Sequence, residues 1–261
     1  MTRRGAFDSA RLAFLPAHAY AHRGLHRPGG PVENSLPAFD AALAAGHGME
    51  CDVRLSRDGI PYIFHDALLD RLTSESGPLS ARTADQLDRI ELNDASGPLP
   101  RLSALLRRIG GRAPLLIEVK IDRQREVRPL CAAVLRDLRD YSGPVAIMSF
   151  HPGVSHWFHR HAPGIVRGLV ITDRKRAATD SIGKDGTGKD RGLKDRMLRH
   201  LAMCHAHPDF IAYDIRDLPN AFARTQRRRG MPVLSWTVRS AAHWDIIRAE
   251  ADAAIFEQAE G

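Results

Sequence analysis

Glu50 and Asp52 stand two residues apart at the end of a short apolar run. On a strand, residues at that spacing point to the same face. Two carboxylates held together repel unless a cation lies between them or one takes up a proton. Glu118 closes a second apolar run, PLLIEVK at 114–120, in the same way. Three such groups offer only oxygen donors, which suit a divalent cation such as Mg2+ or Ca2+ better than zinc. The alternative is a salt-bridged cluster with Arg23 and Lys120 as counter-charges. His22 and His65 end two further extended runs. An imidazole titrates near neutrality, so it can give or take a proton at the same pH. The planar fork of Arg23 suits a phosphate, or an ion pair with Glu50 or Glu33. Lys120 shares a strand face with Glu118, where it meets negative charge developing on a phosphate or neutralises the carboxylates.

These residues need strands to carry them. Extended runs are expected at 17–22, 47–53, 62–65, 114–120, 144–150, 165–171, 210–213, 231–236 and 253–256. Between them lie helical patterns at 35–45, 84–90, 102–110, 126–141, 152–161, 196–206, 218–229 and 241–250. Asn34 or Ser35 caps the first of these helices and Gly46 marks its exit. Residues 172–195 are rich in Lys, Arg, Asp and Gly and read as a polar loop. Repeated βα units imply a parallel sheet with right-handed crossovers. About eight units in 261 residues suit a closed (β/α)8 barrel, a TIM barrel, as a single domain over 1–261. An open doubly wound sheet is the alternative, but no GxGxxG follows the first strand. In a barrel the strand C-terminal ends converge on one mouth. They carry His22, Arg23, Glu50, Asp52, Glu118, Lys120, Ser149, Phe150, Asp214 and Trp236. Trp236 is a candidate pocket wall, or ordinary core.

The bulk numbers exclude several classes. The formal charge is +7 and the aromatic content 6%, with no strip resembling an RNA-stacking platform. No nucleic-acid partner is expected. The three cysteines are widely spaced and form no CxxC, which argues against a disulfide framework or a Cys-zinc site. No run approaches the roughly 18 apolar residues of a membrane span. The N-terminal residues lack a secretory apolar region, so a cytoplasmic location is expected. The histidines at 151, 156, 159 and 161 read as a solvated helix face. Asp66 points away from His65 if the chain is extended there, so it is not an evident orienting partner.

AHRG at 21–24, ENS at 33–35, ECDVRLSRDG at 50–59, FHD at 64–66, LLIEVK at 115–120, MSF at 148–150 and LSWTV at 234–238 occur in this order. The set resembles the glycerophosphodiester phosphodiesterase family over most of the chain. The resemblance implies a TIM barrel with a small insertion after the second strand, carrying one of two catalytic histidines. It implies hydrolysis of a small-molecule glycerophosphodiester to glycerol 3-phosphate and an alcohol, with a divalent cation. It makes Glu50, Asp52 and Glu118 the metal ligands and His22 and His65 the general acid and base. It also implies that a glycerol hydroxyl attacks first and that water opens the cyclic phosphate. Arg23, Glu33, Lys120 and Trp236 are the candidate substrate and phosphate contacts. The last strand ends in Phe256-Glu257 where the family carries Thr-Asp or Ser-Asp, a change at the pocket's closing side or in the bottom layer. The competing readings are a lysophospholipase D or phospholipase C-type diesterase, and a non-catalytic phosphate- or nucleic-acid-binding protein. The residues leave the oligomeric state open.

Overall fold

The structure is a computed structural model that describes residues 9–122, 126–173 and 190–258. The first elements are α1 (Ser9–Leu12), β1 (Tyr20–His22), α2 (Leu36–Ala44) and β2 (Gly48–Leu55). A short strand β3 (Pro61–Ile63) and helices α3 (Ala84–Leu87) and α4 (Leu102–Ile109) follow. Then come β4 (Leu115–Val119), α5 (Arg128–Asp137), β5 (Val145–Ser149), α6 (Pro152–His161) and β6 (Val166–Ile171). The chain ends through α7 (Asp190–Ala206), β7 (Phe210–Asp214), α8 (Ala221–Arg228), β8 (Val233–Val238), α9 (Ala241–Glu250) and β9 (Ala253–Phe256).

All strands but β3 run parallel, and β1 pairs with both β2 and β9, so the eight parallel strands close into a barrel. The (β/α)8 architecture expected from the alternating pattern is the one observed. β3 lies outside the ring, antiparallel to the end of β2. From there to α4 the chain builds its own apolar cluster around Tyr62, Phe64, Leu69, Leu79, Leu87 and Leu99. His65 opens this segment, directly after Phe64.

Strand alternation sorts the side chains into two layers. Leu115, Ile117, Val119, Ile147, Leu169 and Ile211 face the surrounding helices. Tyr20, Leu116, Ala146, Met148, Phe210, Leu234 and Ile255 fill the barrel interior, with Leu12 and Leu15 from the N-terminal segment in the same cluster. Large and small residues alternate inside. A Cβ on Gly168 would lie 2.3 Å from the Phe210 ring, and one on Gly48 2.7 Å from Tyr20. His22, Glu50, Asp52 and Glu118 have the interior parity, one or two layers above this filling. Among the described residues, no helix is long and apolar enough to cross a membrane.

Several boundaries differ from the sequence reading. The helix expected at 84–90 stops at Leu87, because the following residues bridge to Thr73 and Pro98. The helix expected from 218 begins at Ala221, where the Asn220 side chain accepts from the N–H groups of Phe222 and Ala223. The polar loop expected over 172–195 ends sooner, since α7 already starts at Asp190; residues 174–189 lie outside the described set. The histidines at 156 and 159 are not simply solvated: they stack on His205 and His207, with ring centroids 4.3 and 4.4 Å apart.

Candidate active site

Neighbouring strands bring the three carboxylates together. Glu50 and Asp52 leave β2 on one face, and Glu118 sits opposite Asp52 in the β2–β4 register. One oxygen from each lies within 4.8 Å of the others, and all three residues are buried. Two cations border them. Lys120 Nζ lies 2.6 Å from Glu118 Oε1 and 2.9 Å from Asp52 Oδ1. Arg23 Nε lies 3.0 Å from Asp52 Oδ2, and its backbone N–H donates to Glu50 Oε2 at 3.1 Å.

Two fixed positive charges thus face three carboxylates. Burial, together with repulsion from Asp52 and Glu118, pushes the Glu50 carboxyl well above its ordinary range. Burial also raises Glu118, against the pull of Lys120. Burial works against the Asp52 charge too, but Lys120 and Arg23 outweigh it and hold that carboxyl low. Among the described residues, Glu50 Oε1 is buried without a hydrogen-bond donor. Asp52 Oδ1 is buried too and meets Lys120 Nζ at 2.9 Å. An uncompensated carboxylate with a free buried oxygen, inside an all-oxygen donor set, fits a metal ion. Glu50, Asp52 and Glu118 could hold one.

Both histidines line a cavity of about 360 Å³ with Arg23, Glu50, Glu118 and Lys120. His22 is buried at the end of β1, and its Nδ1 lies 2.6 Å from Glu257 Oε1. Its other nitrogen, Nε2, is 3.9 Å from Glu50 Oε2. His65 Nδ1 lies 2.7 Å from Asp66 Oδ1. An ionised carboxylate only accepts, so each Nδ1 carries the proton and each Nε2 is left for other chemistry. Burial lowers both imidazole pKa values, opposed at His22 by the Glu257 hydrogen bond and at His65 by the attraction of Asp52.

The Asp66 contact corrects the sequence reading. Strand β3 ends at Ile63, so the alternation that would turn Asp66 away from His65 does not apply. Glu257 decides between the two placements left open for the end of the last strand. It follows β9 at the mouth and not in the bottom layer, and Arg239 holds it through bonds of 2.6 and 2.9 Å. Asn34 does not cap α2; the Ser35 hydroxyl does, accepting from the Ala38 N–H. The Asn34 amide instead donates to Asp52 Oδ2 at 3.0 Å. Asn34 and Arg23 reach these positions with φ of 59° and 57°, a conformation stored at few non-glycine sites. Glu33 accepts from Arg23 Nη1 at 2.8 Å and from both terminal nitrogens of Arg71. Trp236 packs edge-on against Phe150, with centroids 5.4 Å apart, and the two form an aromatic side of the cavity. Ser149 and Asp214, also at strand ends, are occupied elsewhere: Ser149 donates to the Val119 carbonyl, and Arg216 grips both oxygens of Asp214. Arg71 and Arg239 carried no signal in spacing, because each reaches a carboxylate on a separate segment of the chain.

The sequence pattern of the Glycerophosphoryl diester phosphodiesterase family matches residues 22–259. The chain belongs to this family. Glycerophosphodiester phosphodiesterase of Bacillus altitudinis is 27% identical over 164 residues, which cover 59% of this chain and 66% of that protein. The glycerophosphodiester phosphodiesterase of Caldanaerobacter subterraneus subsp. tengcongensis is 31% identical over 108 residues, 38% of this chain and 44% of that one. The chain thus spans two thirds or less of these relatives. A solved Oleispira antarctica phosphodiesterase, in complex with its product sn-glycerol-3-phosphate, shares the fold with a TM-score of 0.74, 22% identity and 92% coverage of each chain. The mouth of this glycerophosphoryl diester phosphodiesterase family barrel is where its buried carboxylates and two imidazoles meet.

Proposed function

We propose that the chain hydrolyses glycerophosphodiesters to sn-glycerol 3-phosphate and an alcohol, as one barrel domain over 1–261. The observation that carries this reading is the set of three buried carboxylates against two cations, flanked by two imidazoles whose Nε2 atoms no hydrogen bond among the described residues engages. Phosphodiesters resist hydrolysis because their negative charge repels nucleophiles and their alkoxide leaves poorly. Mg2+ or Ca2+ held by Glu50, Asp52 and Glu118 would neutralise the non-bridging oxygens. Arg23 binds the phosphate through its fork, and Lys120 meets charge that develops on it. Glu33 acts through Arg23, which it orients. His22 and His65 share the proton transfers: one, neutral at Nε2, takes the proton of the attacking glycerol hydroxyl, and the other, entering as imidazolium, gives its Nε2 proton to the leaving alkoxide; water then opens the cyclic phosphate with the two roles exchanged. Trp236 lies along the carbon skeleton of the glycerol. The free thiols Cys51, Cys131 and Cys204 support a reducing compartment such as the cytoplasm.

The test is release of glycerol 3-phosphate from glycerophosphocholine and glycerophosphoethanolamine, with Mg2+, Ca2+ or a chelator, beside His22→Ala. Release that needs the ion and disappears in the variant is expected. Release that survives exhaustive chelation would overturn the metal assignment, and no release from either diester would overturn the substrate class.

A further inference from the structure

We propose that Arg71 is a positioning residue that holds His65 and Arg23 in mutual register. It lies in the segment between β3 and α3, away from the strand ends, and does not line the cavity. Its guanidinium bridges two carboxylates. Nε donates to Asp66 Oδ2 at 2.6 Å, and Nη1 and Nη2 donate to the two oxygens of Glu33 at 2.9 and 2.7 Å. Each carboxylate then holds one member of the candidate site. Asp66 accepts from His65, and Glu33 accepts from Arg23. The result is one run of alternating charge, from His65 through Asp66, Arg71, Glu33 and Arg23 to Asp52.

The physical need for a guanidinium here is specific. His65 stands on the segment outside the barrel ring, and Arg23 on the loop after β1. Nothing covalent sets the distance between them. A planar fork with donors on two edges fixes both carboxylates at once, which an ammonium cannot do. Without it, among the described residues Asp66 keeps only His65 and Glu33 keeps only Arg23, so the two halves of the site drift independently. Misplacement of a catalytic group by about 1 Å costs roughly 10²-fold in rate.

The inference rests on the proposed hydrolysis for its kinetic reading, but it has a readout that does not. The ¹⁵N shifts of the His65 ring report which nitrogen carries the proton. They are to be measured in the full chain without added metal, for wild type, Arg71→Ala and Arg71→Lys. Wild type is expected to show the single Nδ1–H form, and Arg71→Ala a mixture of both tautomers. In turnover, Arg71→Ala is expected to lose about 10²-fold in kcat. Added guanidinium ion should recover at least tenfold of that loss, and Arg71→Lys should remain impaired. Should Arg71→Ala fail to give a cooperative melt, Arg71→Lys carries the same readouts. Wild-type ring shifts in the folded variants would overturn the proposal, as would a kcat within twofold of wild type. A wild-type enzyme inactive on every diester would overturn the functional reading alone, and the ring shifts would still decide the role of Arg71.

Discussion

His22 and His65 face one cavity from two different scaffolds. His22 ends a barrel strand with neighbours on both sides, and only about 8% of it is exposed. Its partner Glu257 directly follows the adjacent strand β9, so the pair is held by the closure of the sheet. His65 stands on the segment beyond β3, its side chain 34% exposed. Its partner is the next residue, Asp66, and that carboxylate is held in turn by Arg71. Both imidazoles carry a carboxylate on Nδ1 and an arginine behind it, yet the first is enclosed by packing and the second, a third exposed, leans more on hydrogen bonds. Packing limits rotation whatever becomes of a single polar partner. A hydrogen-bonded chain loses its geometry when one link is removed.

Removing either ring is the largest break. His22→Ala and His65→Ala are each expected to lower kcat by roughly 10² or more while the fold persists. A near-wild-type rate for either variant would take that residue out of the chemistry. Removing the partners separates the two scaffolds. Asp66→Ala should cost about 10²-fold in kcat and Glu257→Ala about tenfold, within the usual range for groups that orient a functional side chain. The reverse order would mean that burial does not hold His22.

Stability should run the other way. Glu257→Ala leaves the buried His22 ring unpaired, a loss of roughly 1–3 kcal/mol, whereas the Asp66 site is open to water. A larger drop in Tm for Asp66→Ala would contradict that. The smallest effect is in acid. Burial works against the Glu257 charge, but hydrogen bonds from His22 and Arg239 outweigh it and hold the carboxyl below its ordinary 4.5. A depressed folded value means the unfolded chain binds the proton more readily there, so stability falls as pH drops. The contribution is complete above the ordinary carboxylate range and fades as pH falls from there toward the depressed folded value. Glu257→Gln should flatten the acid slope of Tm below about pH 4.5. An unchanged slope would show that the pair contributes nothing to acid sensitivity.

The amino-acid sequence by itself determined the alternation of strands and helices, because apolar runs and their periods are local properties. It also determined that Glu50 and Asp52 share a face, since two-residue spacing on a strand leaves no other outcome. Glu118 and His22 were legible as strand-end residues for the same reason. Tertiary structure alone decided which loops meet. Glu257 reaches His22 only because β9 closes on β1, a contact between residues 235 positions apart. Asn34 clamps Asp52, rather than capping α2, because the loop after β1 folds over the barrel mouth with positive φ at both ends. Arg71, which holds Asp66, reaches Glu33 across 38 positions. Such pairings depend on register and loop path, which no local pattern encodes, and here they set the orientation of both histidines.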